Sequence, residues 1–355
     1  MNVCILGSGL VSITLAKALV NQGIYVDFFS NQNEIEINKS RTIGISKANV
    51  DFFNKNILDI SKLLWQINKI EVYSENLKDE KMLNFENFNQ NLFSIVKNYE
   101  LYNHLLLSLK KNAFFKFRKK NLNISIKDFK LIINCDADNL FSKKYFQKKL
   151  KKNYNSYAHT AIIDHEKFLS NNTAIQIFTK KGPIAFLPVS EFKTSVVYSV
   201  RGSRNIDLDS LIKKYNKKYS IKKINEKFSF ELNAVNLRTY FFENIMAFGD
   251  LLHKLHPLAG QGFNMSIRDI KLLIELIKFR LDHGLELNSS ICKDFEKKIR
   301  HKNYLFSSGV DLIYEFFNLE SKFNNSILSK SVQLIGKNKY TNKFLTKLAN
   351  DGIVI

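Results

Sequence analysis

The sequence predicts an α/β fold in which a parallel, dinucleotide-binding sheet is interleaved with an antiparallel-sheet domain and followed by a helical C-terminus. Three observations carry this expectation. The first thirty residues read as strand, glycine turn, helix and strand, the start of a parallel βαβ unit. The stretches 67–96 and 151–243 break into short runs of alternating polarity, the mark of antiparallel strands. A second glycine-rich stretch, GDLLHKLHPLAGQGFNMS (Gly249–Ser266), leads from a short apolar run into a long amphipathic segment.

In order along the chain, NVCIL is the first strand, GSGLVS the turn, ITLAKALVNQG a helix closed by Gly23, and IYVDFF the second strand. INKIEVYSEN, KMLNFENF and NLFSIV read as short antiparallel strands, and ELYNHLLLSLKKN as a helix. FKLIINC (Phe129–Cys135) returns to the parallel style, and SYAHTAII, TAIQIFT, IAFLPV and SVVYSV form the second strand-rich block. After the strand NIMAFG, Ile267, Ile270, Leu273, Ile274, Ile277 and Leu281 lie on one face of a long helix. The rest, to Ile355, is helical in pattern. There is no repeat and no linker, so the domains are expected to interleave.

Composition sets outer bounds. The chain has 355 residues, 45% hydrophobic and 25% charged, which is ordinary for a globular protein. No apolar run reaches the roughly 18 to 20 residues of a membrane helix. The N-terminus lacks a basic leader and carries the glycine turn, so it is not read as a signal peptide. Three scattered cysteines with no CxxC argue for a reducing compartment and against a disulfide framework or zinc site. The net charge of +21 suits an anionic surface, but the lysines are spread along the chain, as in a lysine-rich genome. No nucleic-acid-binding motif accompanies them, and nucleic acid is not an expected partner.

Two motifs carry chemistry. Gly7-Ser8-Gly9-Leu10-Val11-Ser12 is a G-x-G-x-x-S turn between strand and helix. Gly7 permits the tight turn, Gly9 lets the backbone approach a pyrophosphate, and Ser12 allows close helix packing. The acid that usually binds the ribose at the end of the second strand is replaced by Ser30. Asp27 points to the opposite side from Ser30, and Glu34 stands in the loop beyond. In the second motif, Asp250 follows a strand, and His253, His256-Pro257 and Gly260-Gln261-Gly262 precede the long helix. Glycines there free main-chain N–H groups for an anionic ligand at a helix N-terminus. Taken singly, His253 and His256 read as core or surface histidines. A metal pair is disfavoured by the loop setting and by the lack of carboxylates.

Gly249-Asp250, His253, His256-Pro257, Ala259-Gly260-Gln261-Gly262 and Asn264, with Arg268-Asp269 behind them, resemble the second FAD motif of class A flavin monooxygenases, closest to the ubiquinone-biosynthesis hydroxylases. SRTIGIS is similar to the family's arginine segment, which puts Arg41 near the flavin. Gly182-Pro183, Ala185 and Pro188 match its Gly-Pro-x-Ala-x-x-Pro strand pair, so all three prolines fall in family motifs. FSIVKNYELYNHLLLSL resembles its strand and leucine-rich helix, with Asn98-Tyr99 where the family has Asn-Arg. DFEKKIRHKNYLFSSGVDLIYEFF resembles its C-terminal helices. The family's Gly-Ala-Asp-Gly stands here as Asn134-Cys135-Asp136-Ala137, and with Ser30 this departure bears on FAD affinity and on reduction by NAD(P)H.

The resemblance implies a Rossmann-like FAD-binding domain from 1–66, 97–150 and 244–290, a substrate-binding β-sheet domain from 67–96 and 151–243, and a helical segment over 291–355. It implies FAD held by Gly7, Gly9, Leu10, Ser12, Ser30, Arg41, Asp136, Gly249, Asp250, Pro257, Gly260, Gln261, Gly262, Phe263 and Asn264. NAD(P)H is the implied electron donor, O2 the oxidant, and a polyprenyl phenol or quinol the substrate, hydroxylated through a flavin C4a-hydroperoxide. His256 is the nearest candidate for a catalytic base, and Pro257 would line the reactive edge. Phe178, Phe186 and Tyr198 are candidates for the substrate pocket, though core is the simpler reading. The expected location is cytoplasmic, peripheral on the inner face of a membrane, with KNKYTNKFLTKL as one docking candidate and other quinone-synthesis enzymes as partners. Two other readings stay open: a non-catalytic flavin-fold partner of a quinone-synthesis complex, and an FAD-dependent epoxidase or reductase of an isoprenoid.

Overall fold

A computed structural model of the chain describes residues 2–30, 38–77, 80–86, 91–119, 125–256, 260–323 and 327–338. From the N-terminus run β1 (Asn2–Leu6), α1 (Leu10–Val20), β2 (Tyr25–Ser30), β3 (Thr42–Ser46), α2 (Lys47–Asn56), β4 (Trp65–Ile67), β5 (Lys69–Ser74), β6 (Lys81–Glu86) and β7 (Phe93–Lys97). There follow α3 (Asn98–Lys110), β8 (Phe115–Lys119), β9 (Leu131–Asn134), α4 (Leu140–Tyr145), β10 (Lys149–His165), β11 (Thr173–Thr179), β12 (Gly182–Pro188) and β13 (Lys193–Arg201). Then come α5 (Leu208–Tyr215), β14 (Ile221–Leu237), β15 (Phe241–Phe242), β16 (Ile245–Ala247), β17 (His253–Lys254), α6 (Gln261–Asp282), α7 (Ser289–Phe323) and α8 (Ile327–Lys337). Short 3-10 turns fill some of the joins.

The described strands form three sheets. One has the order β15-β16-β9-β1-β2-β8, parallel except for β15. Chain order reverses between β1 and β9, and in open α/β sheets a ligand crevice lies at such a switch point, outside the carboxyl ends of the strands. β1 and β9 are buried along nearly all their length, as a sheet covered on both faces requires. Helix α1 buries nine of its eleven residues and begins three residues earlier than its sequence suggests, with Gly9 as N-cap.

The second sheet, β17-β14-β10-β13-β12-β11-β5-β6, is antiparallel apart from the parallel pair of β11 with β5. Its two 17-residue strands, β10 and β14, are bulged where Asn155 and Glu226 take positive φ angles of 48° and 52°. The third sheet is β3-β7-β4. NLFSIV therefore pairs with the arginine segment and with Trp65–Ile67 rather than with the β5 and β6 parts of INKIEVYSEN and KMLNFENF.

Alternation assigns the faces of the large sheet. Ala161, Ile163, Phe186, Val196 and Tyr198 pack with α5 on one side. Thr160 and Ser195 face the other way, where Ser40 and Thr42 meet them through Ser40 Oγ···Thr160 Oγ1 (2.6 Å) and Thr42 Oγ1–H···Ser195 Oγ (2.9 Å). Phe186 and Tyr198 are thus core residues on the face that α5 covers. Phe178 stacks on Phe317 of α7 at 3.6 Å between ring centres, so it too is packed rather than pocket-lining. On α6 the expected apolar face is buried except Leu281, which is 42% exposed in the last turn. All three cysteines are free thiols, and burial pushes each well above its ordinary range. Among the described residues no helix is long and apolar enough to cross a membrane.

Candidate active site

The site is built where parallel strands end. At the end of β1, Gly7 has φ +129°, a value L-residues avoid, and a Cβ there would stand 3.1 Å from Cys135 Cβ and 3.3 Å from the Asp136 nitrogen. That close approach joins the ends of β1 and β9 at the switch point. Gly9 is different: its φ of −76° suits any residue, and a Cβ there would meet nothing within 4 Å. Space, not strain, is what glycine supplies at Gly9. The helix that follows has no side-chain cap and no acidic residue in its first turn, so its N–H groups present positive potential outward. Ser12 turns inward and donates its hydroxyl to the Gly9 carbonyl at 2.7 Å, and Leu10 packs on the core.

Asp136 stands past the end of β9 and Asp250 past the end of β16, and both carboxylates raise the Cys135 thiol pKa beyond what burial does. The two acids and the Gly7 turn thus share one neighbourhood. Ala137 is exposed and outside the positive-φ residues, so the missing glycine leaves no strained backbone. Ser30 is buried at the end of β2. Asp27 is spoken for by Arg118 Nε at 2.8 Å and by Asn2. Arg41 is exposed just before β3, its carbonyl accepting from the Asn98 N–H at 2.9 Å.

The second glycine stretch is anchored at several points. Gly249, at φ +60°, lies against Val11 of α1, where a Cβ would come within 3.1 Å. Gly260, at φ +64°, caps α6 against the backbone of Gly44 in β3. Asn264 is committed to the protein: its Oδ1 accepts from Ser46 N–H (2.9 Å) and Asn49 Nδ2 (2.8 Å), and its Nδ2 donates to the Gly44 carbonyl at 2.8 Å. It staples the α6 N-terminus to β3. Phe263 packs on the main core, and a Cβ at Gly262 would meet nothing within 4 Å.

The two histidines separate. His253 Nε2 is hydrogen-bonded to Asp269 Oδ2, both fully buried, and Asn303 Nδ2 donates to the other oxygen at 3.3 Å. The carboxylate partner missing from the local sequence lies one helix away. No cluster of three metal-ligating side chains occurs among the described residues. His256 is equally buried, but neither ring nitrogen has a protein partner. It packs edge-on to Tyr154 (4.9 Å) and against Tyr314 (4.3 Å), residues no local pattern connects to it. Burial, aided by the Lys152 charge, pushes its pKa down to about 3, so it is a neutral imidazole at physiological pH. The buried Gln261 Oε1 also lacks a protein partner. These groups flank Pro257, which lies outside the described residues together with Leu258, Ala259 and Glu34.

No family model matches the chain. Ubiquinone biosynthesis monooxygenase COQ6 of Schizosaccharomyces pombe is 23% identical over 274 residues, covering 63% of this chain and 57% of that protein. The 3-demethoxyubiquinol 3-hydroxylase of Escherichia coli is 28% identical over 153 residues, covering 40% and 39%. The chain is similar to ubiquinone-biosynthesis flavin hydroxylases. The alignments span about half the length of these curated relatives or less. Among solved structures, Klebsiella pneumoniae HpxO complexed with FAD and uric acid superposes with a TM-score of 0.77 at 12% identity, over 99% of this chain and 97% of that one. Pseudomonas aeruginosa pqsL, a probable FAD-dependent monooxygenase, gives 0.74 at 14% identity, over 94% and 99%. The mixed α/β fold with several sheets is that of FAD-dependent monooxygenases.

Proposed function

We propose that the chain is an FAD-dependent monooxygenase that hydroxylates the aromatic ring of a polyprenyl phenol or quinol on the route to ubiquinone. The observation that carries the reading is the open Gly9 cradle at the parallel-sheet switch point, beside Asp136 and Asp250. A Cβ at Gly9 would fill the space a pyrophosphate takes at an uncapped helix N-terminus. Gly7, Gly9, Leu10 and Ser12 would form that turn, with Ser30 and Arg41 on the adenosine side. Asp136, Gly249 and Asp250 would hold the ribityl chain, and Pro257 with Gly260 to Asn264 the ring. Residues 1–66, 97–150 and 244–290 would make up this FAD domain, 67–96 and 151–243 the substrate domain, and 291–355 the helical segment.

When bound, FAD supplies reductive O2 activation, with electrons from NAD(P)H. The protein's part is positional. The uncapped N-terminus of α6 favours negative charge at the ring end of the cofactor. Neutral His256, with both nitrogens unpartnered, can accept a hydrogen bond from a phenolic hydroxyl, and the aromatic wall of Tyr154 and Tyr314 keeps water from it. Purified protein should be yellow and should oxidise NAD(P)H faster when a phenol is added. A colourless protein that takes up no FAD favours a non-catalytic partner of a quinone-synthesis assembly instead.

A further inference from the structure

One face of the large sheet is open in its middle. The register sets Thr160, Val197, Ala185, Gln176 and Val72 side by side across β10, β13, β12, β11 and β5. The ends of this row, Thr160 and Val72, are buried, whereas Val197, Ala185 and Gln176 between them are partly exposed. The face is closed on both sides of the row. Toward one end of the strands, Thr42 bonds to Ser195, and Ala174 and Leu187 pack with Trp65 and Ile67. Toward the other end, Phe317 of α7 stacks on Phe178, Tyr314 bonds to Ser156, and Arg201 donates to Asn318. What remains is a slot between α7 and the β3–β4 side, on the face opposite α5.

The floor of the slot is small and apolar except at one place. Val197 and Ala185 present only methyl groups, so a flat ring can lie on them. Gln176, next across the sheet, makes no hydrogen bond among the described residues, although Val72 beside it and Phe178 two residues on are buried. An amide left unpaired among apolar groups costs free energy, and it regains that from a ligand that brings an oxygen. We infer that Gln176 is a specificity-determining residue, which grips the ring oxygen of a phenol lying on Val197 and Ala185. A hydroxyl suits either end of the amide, since it can accept from Nε2–H or donate to Oε1. The amide stays neutral, so it orients the ring and takes no proton. Nothing in TAIQIFT sets this glutamine apart from any other strand residue; only the cross-strand register shows what it faces. The assignment rests on the proposed phenol reading and adds to it the residue that selects the substrate.

Trp65, the one tryptophan of the chain, packs with Ala174 and Leu187 at the end of the slot, so its fluorescence reads occupancy without any flavin. The test titrates the full chain, with and without FAD, with 4-propylphenol and with 4-propyltoluene, which replaces the hydroxyl by a methyl group. Gln176→Leu should keep its affinity for the toluene and lose about three- to tenfold on the phenol, the worth of one neutral hydrogen bond. Ala185→Phe, which fills the floor, should weaken both probes at least about tenfold. Gln176→Leu conserves volume at a partly exposed position and should melt with the wild type, so it decides the matter even if Ala185→Phe fails to fold. The inference is overturned if the wild type binds neither probe with or without FAD, or if Gln176→Leu binds the phenol as the wild type does. A folded Ala185→Phe that binds both probes normally also overturns it. A chain that takes up no FAD but binds phenol through Gln176 defeats the monooxygenase reading and leaves this assignment standing.

Discussion

The two glycine stretches solve opposite problems. At Gly7–Ser12 the protein leaves room: the Gly9 cradle is empty of side chains, and the helix behind it is uncapped. At Gly249–Asn264 it ties itself down: Gly249 presses on α1, Gly260 on β3, and Asn264 spends its amide on Ser46, Asn49 and Gly44. Similar glycine-rich text therefore supplies room at Gly9 and a clamp at Gly249, Gly260 and Asn264, with room again at Gly262. The surrounding packing decides which.

Substitutions should separate the two. Asn264→Leu removes the buried hydrogen bonds that tie α6 to Ser46, Asn49 and Gly44, so denaturant unfolding should show a loss of roughly 3–5 kcal/mol. A loss under about 1 kcal/mol would mean the staple carries little energy. Gly7→Ala meets both a positive φ and the Cys135 side chain, and a loss of about 1–3 kcal/mol in the same assay is expected.

His256 gives a pH signature. Its pKa is about 3 in the folded chain and near the ordinary 6.5 when unfolded. Between those values the unfolded chain holds the extra proton, so stability falls as pH drops from about 6.5 toward 3, by up to about 1.4 kcal/mol per pH unit. Stability curves at several pH values should lose that component in His256→Phe. An unchanged slope would place the acid sensitivity elsewhere. Gly9→Ala should have the smallest effect on stability, within about 1 kcal/mol, because its Cβ enters open space and only the weaker N-cap preference is lost.

Much of this was legible in sequence because it is local. The βαβ start, the long α6 and the strand-rich blocks follow from periodicity and glycine placement within a few dozen residues. Alternation alone puts Ser30 and Asp27 on opposite sides of β2, and Asp27 pairs there with the exposed Arg118 of β8. What was not legible joins distant parts of the chain. Asp269 answers His253 one helix on, Tyr154 and Tyr314 wall in His256 from 102 and 58 residues away, and β7 chooses β3 over the large sheet. The concern over Ala137 also came from pattern alone. Its backbone turns out to need no glycine.

The central claim is that the Gly9 space is a cofactor site, and flavin titration of the apoprotein, followed by absorbance, compares wild type with Gly9→Ala most directly. The account predicts that the wild type binds FAD and that the variant melts with it but binds at least about tenfold more weakly, because the added methyl occupies the pyrophosphate approach. A wild type that takes up no FAD, or a variant that binds it as well as the wild type does, would contradict it.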